Sequence, residues 1–167
     1  VNSDMWVVLD HLNFLSRTSQ NQCRIKTETG VQVLRITVRH PCVSPICGTI
    51  ITNYEPWKNI FLKVIERSYG ETEYYPIYID QLREFVNGST VMLETFNVQT
   101  IMWIAGLLGI DPILYHTRYA YLGRGGRAYP KHKVVKAVCE KFSAEEFNEP
   151  FVHPHYPQVS EPFEKDL

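Results

Sequence analysis

Met5-Trp6-Val7-Val8-Leu9-Asp10-His11 is an unbroken run of five apolar residues followed at once by an acid and an imidazole. A short continuous apolar run of this kind reads as a strand covered on both faces. Asp10 and His11 then emerge at its C-terminal end, the place where ligands sit in layered α/β folds. The next residues, Leu12-Asn13-Phe14-Leu15-Ser16-Arg17-Thr18-Ser19-Gln20-Asn21-Gln22-Cys23-Arg24-Ile25-Lys26, bring amides and cations at short intervals. Guanidinium groups spaced in this way suit a carboxylate or phosphate held by paired hydrogen bonds. Asp10, His11 and Arg17 are therefore candidate catalytic residues, and Asn13, Asn21, Arg24 and Lys26 candidate substrate contacts. The plain structural alternative has Asp10 capping a helical turn, Arg17 pairing with it, and Arg24 and Lys26 on a solvated strand face.

Outward from this stretch, strands and helices alternate with no internal repeat or linker, which predicts one mixed α/β (α+β) layered domain: a mixed sheet with a hairpin and about four packed helices. Thr29-Gly30 turns the strand over 23–27 into a partner over 31–38, an antiparallel hairpin. A strand over 48–52 leads to a helix from about Pro56 with Ile60, Phe61, Val64, Ile65 and Ser68 inward. A helix over 78–86 stops at Asn87-Gly88, and an apolar helix over 90–108 stops at Gly109. A strand over 113–117 and a helix over 131–142, with Val134, Val135 and Val138 inward, complete the series. Asn97, an amide on the apolar helix, is either a satisfied core group or a side chain reaching the site. Trp6, Trp57 and Trp103 are most simply core.

Composition bounds the function. With 167 residues, 44% hydrophobic and 13% aromatic, the chain can bury a proper core and has no disorder-type bias. Its longest apolar stretch, Ile101 to Ile110, is too short to span a bilayer, and no leader-like segment opens the chain. A cytoplasmic protein with no membrane insertion is expected. Cys23, Cys42, Cys47 and Cys139 read as free thiols rather than a disulfide framework. A zinc reading of His40, Cys42 and Cys47 is set aside, because no second ligand pair follows at suitable spacing. No metal site and no cofactor are expected.

The net charge of −1 is unevenly spread. Arg118, Arg124, Arg127, Lys131, Lys133, Lys136 and Lys141 crowd one segment against Glu140 alone, while the tail is acidic. Within it, Leu122-Gly123-Arg124-Gly125-Gly126-Arg127 lacks the Gly-Lys-Ser/Thr ending and the spacing of a P-loop. Its glycines still let backbone amides approach an anion, and Tyr119, Tyr121 and Tyr129 interleave with the arginines. Stacking rings beside cations suit a nucleic-acid strand, so Arg118, Tyr121, Arg124, Arg127, Lys131 and Lys133 are candidate nucleic-acid contacts. The simpler alternative is a turn with two solvated arginines.

A valine-rich strand ending in Asp10, an amide at Asn13, then Arg17, Asn21 and Arg24-Ile25-Lys26 together resemble the WbqC-like protein family. Asn53-Tyr54 with Trp57, Leu62, Ile65 and Tyr69 is similar to that family's strand-to-helix segment. Asn97 with Leu107-Leu108-Gly109-Ile110 is similar to its central helix, and His153-Pro154-His155-Tyr156-Pro157-Gln158 to its C-terminal signature, which adds His153, Tyr156 and Gln158 as candidate substrate contacts. The chain departs from the pattern in three ways. The family's opening Gln-Pro-x-Tyr-x-Pro-Trp segment is absent; the spacing from Phe142 to Phe151 is short and the chain stops at Asp166-Leu167; and Gln22 and Asn13 stand where Arg and Gln are usual. The expectation is one WbqC-like domain over 1–167, lacking the family's N-terminal segment and an internal segment near 142–151.

The resemblance implies a transferase. One branch of the family is linked to hypermodification of phage DNA. There an amino acid such as glycine is joined to a pyrophosphorylated 5-hydroxymethylpyrimidine, and diphosphate leaves. The implied partners are DNA carrying the modified base and a free amino acid. The other implied role is in bacterial O-antigen or polysaccharide synthesis, with a nucleotide-sugar or lipid-linked sugar as partner. A third possibility is a non-catalytic binding module. Transfer to DNA needs a base for the amine, cations for the diphosphate and a clamp for the carboxylate. Asp10 or His11 can be the base, Arg17 with Arg24 or Lys26 the clamps, and His153, Tyr156 and Gln158 the positioning groups.

Overall fold

The computed structural model describes residues 5–39, 44–88, 90–117 and 131–143, with only the backbone for residues 131–135. The elements run β1 (Met5–Val8), β2 (Gln22–Thr27), β3 (Gly30–Arg35), β4 (Val38–Arg39), a single 3-10 turn (Ile46–Gly48), β5 (Ile50–Ile51), α1 (Tyr54–Tyr69), α2 (Tyr75–Gly88), α3 (Leu93–Leu107), β6 (Ile113–His116) and α4 (Lys131–Phe142). The mixed α+β class and the four helices agree with the sequence reading. The expected mixed sheet is instead divided among the described residues into three two-stranded ladders: β1 parallel to β6, β2 antiparallel to β3, and β4 antiparallel to β5.

The second hairpin strand, expected to continue to Val38, changes partners after Arg35. Ile36 donates its N–H to the Asn21 carbonyl, and β4 then pairs with β5. The two faces of β3 also invert a simple apolar count. Leu34 and Ile36 are buried, whereas Val31 and Val33 stand exposed on the same face as Arg35. The strand expected over 48–52 is shorter, because a 3-10 turn takes its first residue.

Phe14, Ile36, Ile51, Leu93 and Phe96 form the central core, with Val38, Ile46, Tyr54, Trp57 and Phe85 packed around it. Trp57 stacks on Phe61 at 5.2 Å and meets Phe96 edge-on at 5.4 Å, while Phe85 stacks on Trp103 at 5.4 Å. Ring contacts of this kind add about 0.5–1.5 kcal/mol each beyond burial. On α1 the inward arc runs through Trp57, Lys58 and Phe61, and Ile60, expected inward, lies about 100° away from its centre and is exposed. The Lys58 stem is buried and its ammonium reaches Glu55 at 2.7 Å.

α3 positions the site, and both of its ends are built. Gly109, at φ +68°, adopts the left-handed conformation that closes the helix. Ile110 N–H reaches the Ala105 carbonyl at 2.8 Å and Gly109 N–H the Gly106 carbonyl at 3.0 Å, as its sequence position predicts. At the other end, Leu93 N–H bonds the Thr49 carbonyl at 3.0 Å, and Ile51 N–H bonds the Val91 carbonyl at 2.7 Å. The first turn of α3 is thereby anchored to the segment leading into β5.

Candidate functional site

β1 and β6 run side by side in parallel, with Val8 opposite His116. Their C-terminal ends coincide, so Asp10 and His11 after β1 meet His116 and Thr117 at the end of β6. The backbone leaving β1 is held by Cys47 N–H on the Asp10 carbonyl at 3.0 Å and Ile46 N–H on the Leu12 carbonyl at 2.8 Å. Asp10 is buried at 1% exposure and Thr117 likewise at 1%, so these side chains form the floor of the site rather than its rim.

Asp10 faces two ways. Its Oδ1 lies 3.2 Å from the Thr117 hydroxyl, and its Oδ2 lies 3.0 Å from Nδ1 of His116. The same Nδ1 is 3.1 Å from Oε1 of Glu94, a buried residue in the first turn of α3. That helix end favours a carboxylate. Glu94 Oε2 accepts a hydrogen bond from the Thr95 hydroxyl at 3.1 Å.

On the other side of Thr117 stands His11, whose Nδ1 is hydrogen-bonded to Thr117 Oγ1. The threonine hydroxyl has one hydrogen, and the Val8 carbonyl at 3.0 Å, Asp10 Oδ1 and His11 Nδ1 are the acceptors within its reach. With that hydrogen on Asp10 Oδ1, the threonine oxygen accepts Nδ1–H of His11 and the ring's lone pair is on Nε2. Burial holds the His11 imidazole below its ordinary value of 6.5, and the Asp10 carboxylate offsets only part of that. His11 is a neutral imidazole at neutral pH.

Of the sequence candidates, the structure brings Asp10 and His11 together. Arg17 is exposed on the following loop in a left-handed conformation, φ +62°, with its N–H on Asn21 Oδ1 at 3.1 Å and its carbonyl on Gln22 Nε2 at 2.9 Å. Asn21 is buried, and its Nδ2 bonds the Ile36 carbonyl at 3.1 Å, so both ends of its amide hold backbone. Asn97 donates its Nδ2 to the Gln20 carbonyl at 2.8 Å. Glu94 and Asn97 are three residues apart on α3, and so share a face. One helix thus fixes both the buried acid and the loop that carries Arg17.

Asn13 lies half-buried in a bridge to Pro45. Arg24 and Lys26 are exposed on β2. They alternate with Cys23 and Ile25, and the register sets Gln22 opposite Arg35, whose guanidinium bonds Gln22 Oε1 at 3.1 Å. Gln22, Arg24, Lys26, Val31, Val33 and Arg35 therefore share one face of the hairpin. Arg118, Tyr121, Arg124, Arg127, His153, Tyr156 and Gln158 lie outside the described residues, as do the side chains of Lys131 and Lys133, whose backbone opens α4 as expected. His40 and Cys42 also lie outside them, while Cys23 and Cys139 are free thiols. No described helix is long and apolar enough to cross a membrane.

Glu94, His116 and Thr117 were not among the candidates, yet each carries a sequence signal. Glu94 is the sole charged residue in the apolar run from Thr90 to Leu108. His116 and Thr117 close the second apolar strand as Asp10 closes the first.

Comparison with known proteins gives one match. A model described as the WbqC-like protein family covers residues 1–151. No curated protein and no solved structure matches the chain.

Proposed function

We propose that this chain, which belongs to the WbqC-like protein family, is a group transferase that joins an amino acid of the glycine type to a pyrophosphorylated 5-hydroxymethylpyrimidine in DNA and releases diphosphate. The observation that carries the reading is the relay from Asp10 through Thr117 to His11. It presents a neutral imidazole with its lone pair on Nε2 at the end of two parallel strands, which is the group an amine nucleophile needs. His11 Nε2 takes a proton from the ammonium of the amino acid. The freed nitrogen lone pair attacks the exocyclic methylene carbon, the carbon–oxygen bond breaks, and its electron pair leaves with the diphosphate. The product forms as an ammonium and sheds its extra proton to solvent.

Two further features support the reading. Asn97, one helical turn from Glu94 on α3, ties down the loop that carries Arg17, a cation suited to clamp a carboxylate or diphosphate. Arg24, Lys26 and Arg35 line one outward hairpin face, a spacing that suits successive phosphates of a nucleic-acid strand.

The test is transfer of labelled glycine to DNA carrying the pyrophosphorylated base, with diphosphate release measured in parallel. Wild type is expected to label DNA and release diphosphate in equal amounts. His11→Gln is expected to lower kcat by about 10²–10⁴-fold, and Thr117→Val to lower it without raising the KM for DNA. A folded wild-type protein that leaves this DNA unlabelled but transfers from a nucleotide-sugar would replace the reading with the glycan one. Full activity in His11→Gln would remove the relay from the mechanism.

A further inference from the structure

We propose that Asp10, Glu94 and His116 form a binding site for a first-row divalent cation, of which Mn²⁺ and Zn²⁺ fit the donor set best. The three side chains come from three separate elements, the ends of β1 and β6 and the first turn of α3, and converge on one point. One ligand atom from each lies within 4.8 Å of the others. Donors around a single ion at bond lengths near 2.1 Å stand roughly 3–4 Å apart, so only small adjustments would bring all three onto it. Two carboxylates with one imidazole combine the preferences of Mn²⁺ and Zn²⁺ and leave further positions open to a substrate oxygen.

A second observation points to a ligand. Each carboxylate has one oxygen occupied by a threonine hydroxyl, Asp10 Oδ1 by Thr117 at 3.2 Å and Glu94 Oε2 by Thr95 at 3.1 Å. The other oxygen of each, Asp10 Oδ2 and Glu94 Oε1, is aimed at the common centre. Outer hydrogen bonds that orient the coordinating oxygen are what a built metal site requires. A cation accepts all three lone pairs together.

Access is also present. The Asp10 and Glu94 side chains are 0% and 2% exposed, whereas that of His116 is 20% exposed. The centre therefore opens to solvent on its imidazole side. The inference goes beyond the transferase reading and does not depend on it, since binding is measured without substrate. Should both hold, the ion would lie across Asp10 from the His11 relay, placed to take charge on a departing diphosphate.

The test is a titration of the metal-free protein with Mn²⁺, followed by loss of the free-ion electron paramagnetic resonance signal, with Zn²⁺ as competitor. Wild type is expected to bind one Mn²⁺ per chain, displaced by one Zn²⁺. Glu94→Gln, which keeps the shape but removes the charge, is expected to weaken binding by at least tenfold. Should Glu94→Gln fail to fold by circular dichroism, Thr95→Ala decides instead, with a loss of about tenfold expected. Absence of saturable binding to wild type, or wild-type affinity in the deciding variant, would overturn the site.

Discussion

The two ends of the stretch from Asp10 to Lys26 lie in opposite environments. Asp10 and Asn21 are buried with their polar atoms held by neighbours, whereas Arg24 and Lys26 stand exposed on a hairpin. Asp10 and His11, with Glu94, His116 and Thr117, belong to a largely buried polar network in which each group depends on the others. Arg24 and Lys26 lie on a charged surface in which each group acts almost alone. Residues adjacent in sequence and alike in polarity thus contribute in different ways. In the buried network, removing one member leaves other charged groups desolvated; on the hairpin, it leaves a solvated gap.

Asp10→Ala is the most severe way to press this contrast. It strips His116 and Thr117 of a buried hydrogen-bond partner while Glu94 stays in place, and each buried polar group left unmet costs about 1–3 kcal/mol. Denaturant melts should show that loss, with Asp10→Asn costing less because its amide can still meet Thr117. A loss below about 1 kcal/mol for the alanine variant would mean that the cluster is solvated and that the two regions do not differ as described. Asn21→Ala comes next. It removes the acceptor for Arg17 N–H and the donor to the Ile36 carbonyl, a cost of about 1–3 kcal/mol for buried groups left unmet. Because Arg17 is held at positive φ by this contact, the variant should also raise amide exchange in the loop around residue 17. Unchanged exchange would show that Asn21 does not order the loop.

What the sequence made legible follows the same division. Continuous apolar strands, a helix stopped by glycine and a turn at Thr29-Gly30 are local signals, and they located most elements. The strand-end rule found Asp10 and His11 because they follow their strand directly. Glu94 escaped because its role depends on α3 being anchored to Thr49 and Ile51, contacts that bridge forty residues or more and leave no periodic trace. The roles of Asn21 and Asn97 were hidden for a related reason. An amide that holds a distant carbonyl has the same sequence appearance as one that binds a ligand. Val31 and Val33 misled in the opposite direction, since alternation identifies two faces without saying which is covered.

The mildest change to the fold has the most specific consequence for binding. Arg24→Ala with Lys26→Ala removes two exposed cations from the hairpin face, where substitutions alter stability by no more than about 0.5 kcal/mol. The melting temperature should therefore stay near that of wild type, in contrast to Asp10→Ala. Binding to duplex DNA is another matter, because each phosphate neutralised contributes about 0.9 to the slope of log K against log salt concentration. If both side chains meet phosphates, the double variant should lose about 1.8 from that slope and bind more weakly at low salt, while converging on wild type as salt rises. Fluorescence anisotropy at several salt concentrations measures this directly. A parallel loss of affinity at all concentrations would place Arg24 and Lys26 at a specific small-ligand contact, and an unchanged curve would move the polyanion surface away from the hairpin altogether.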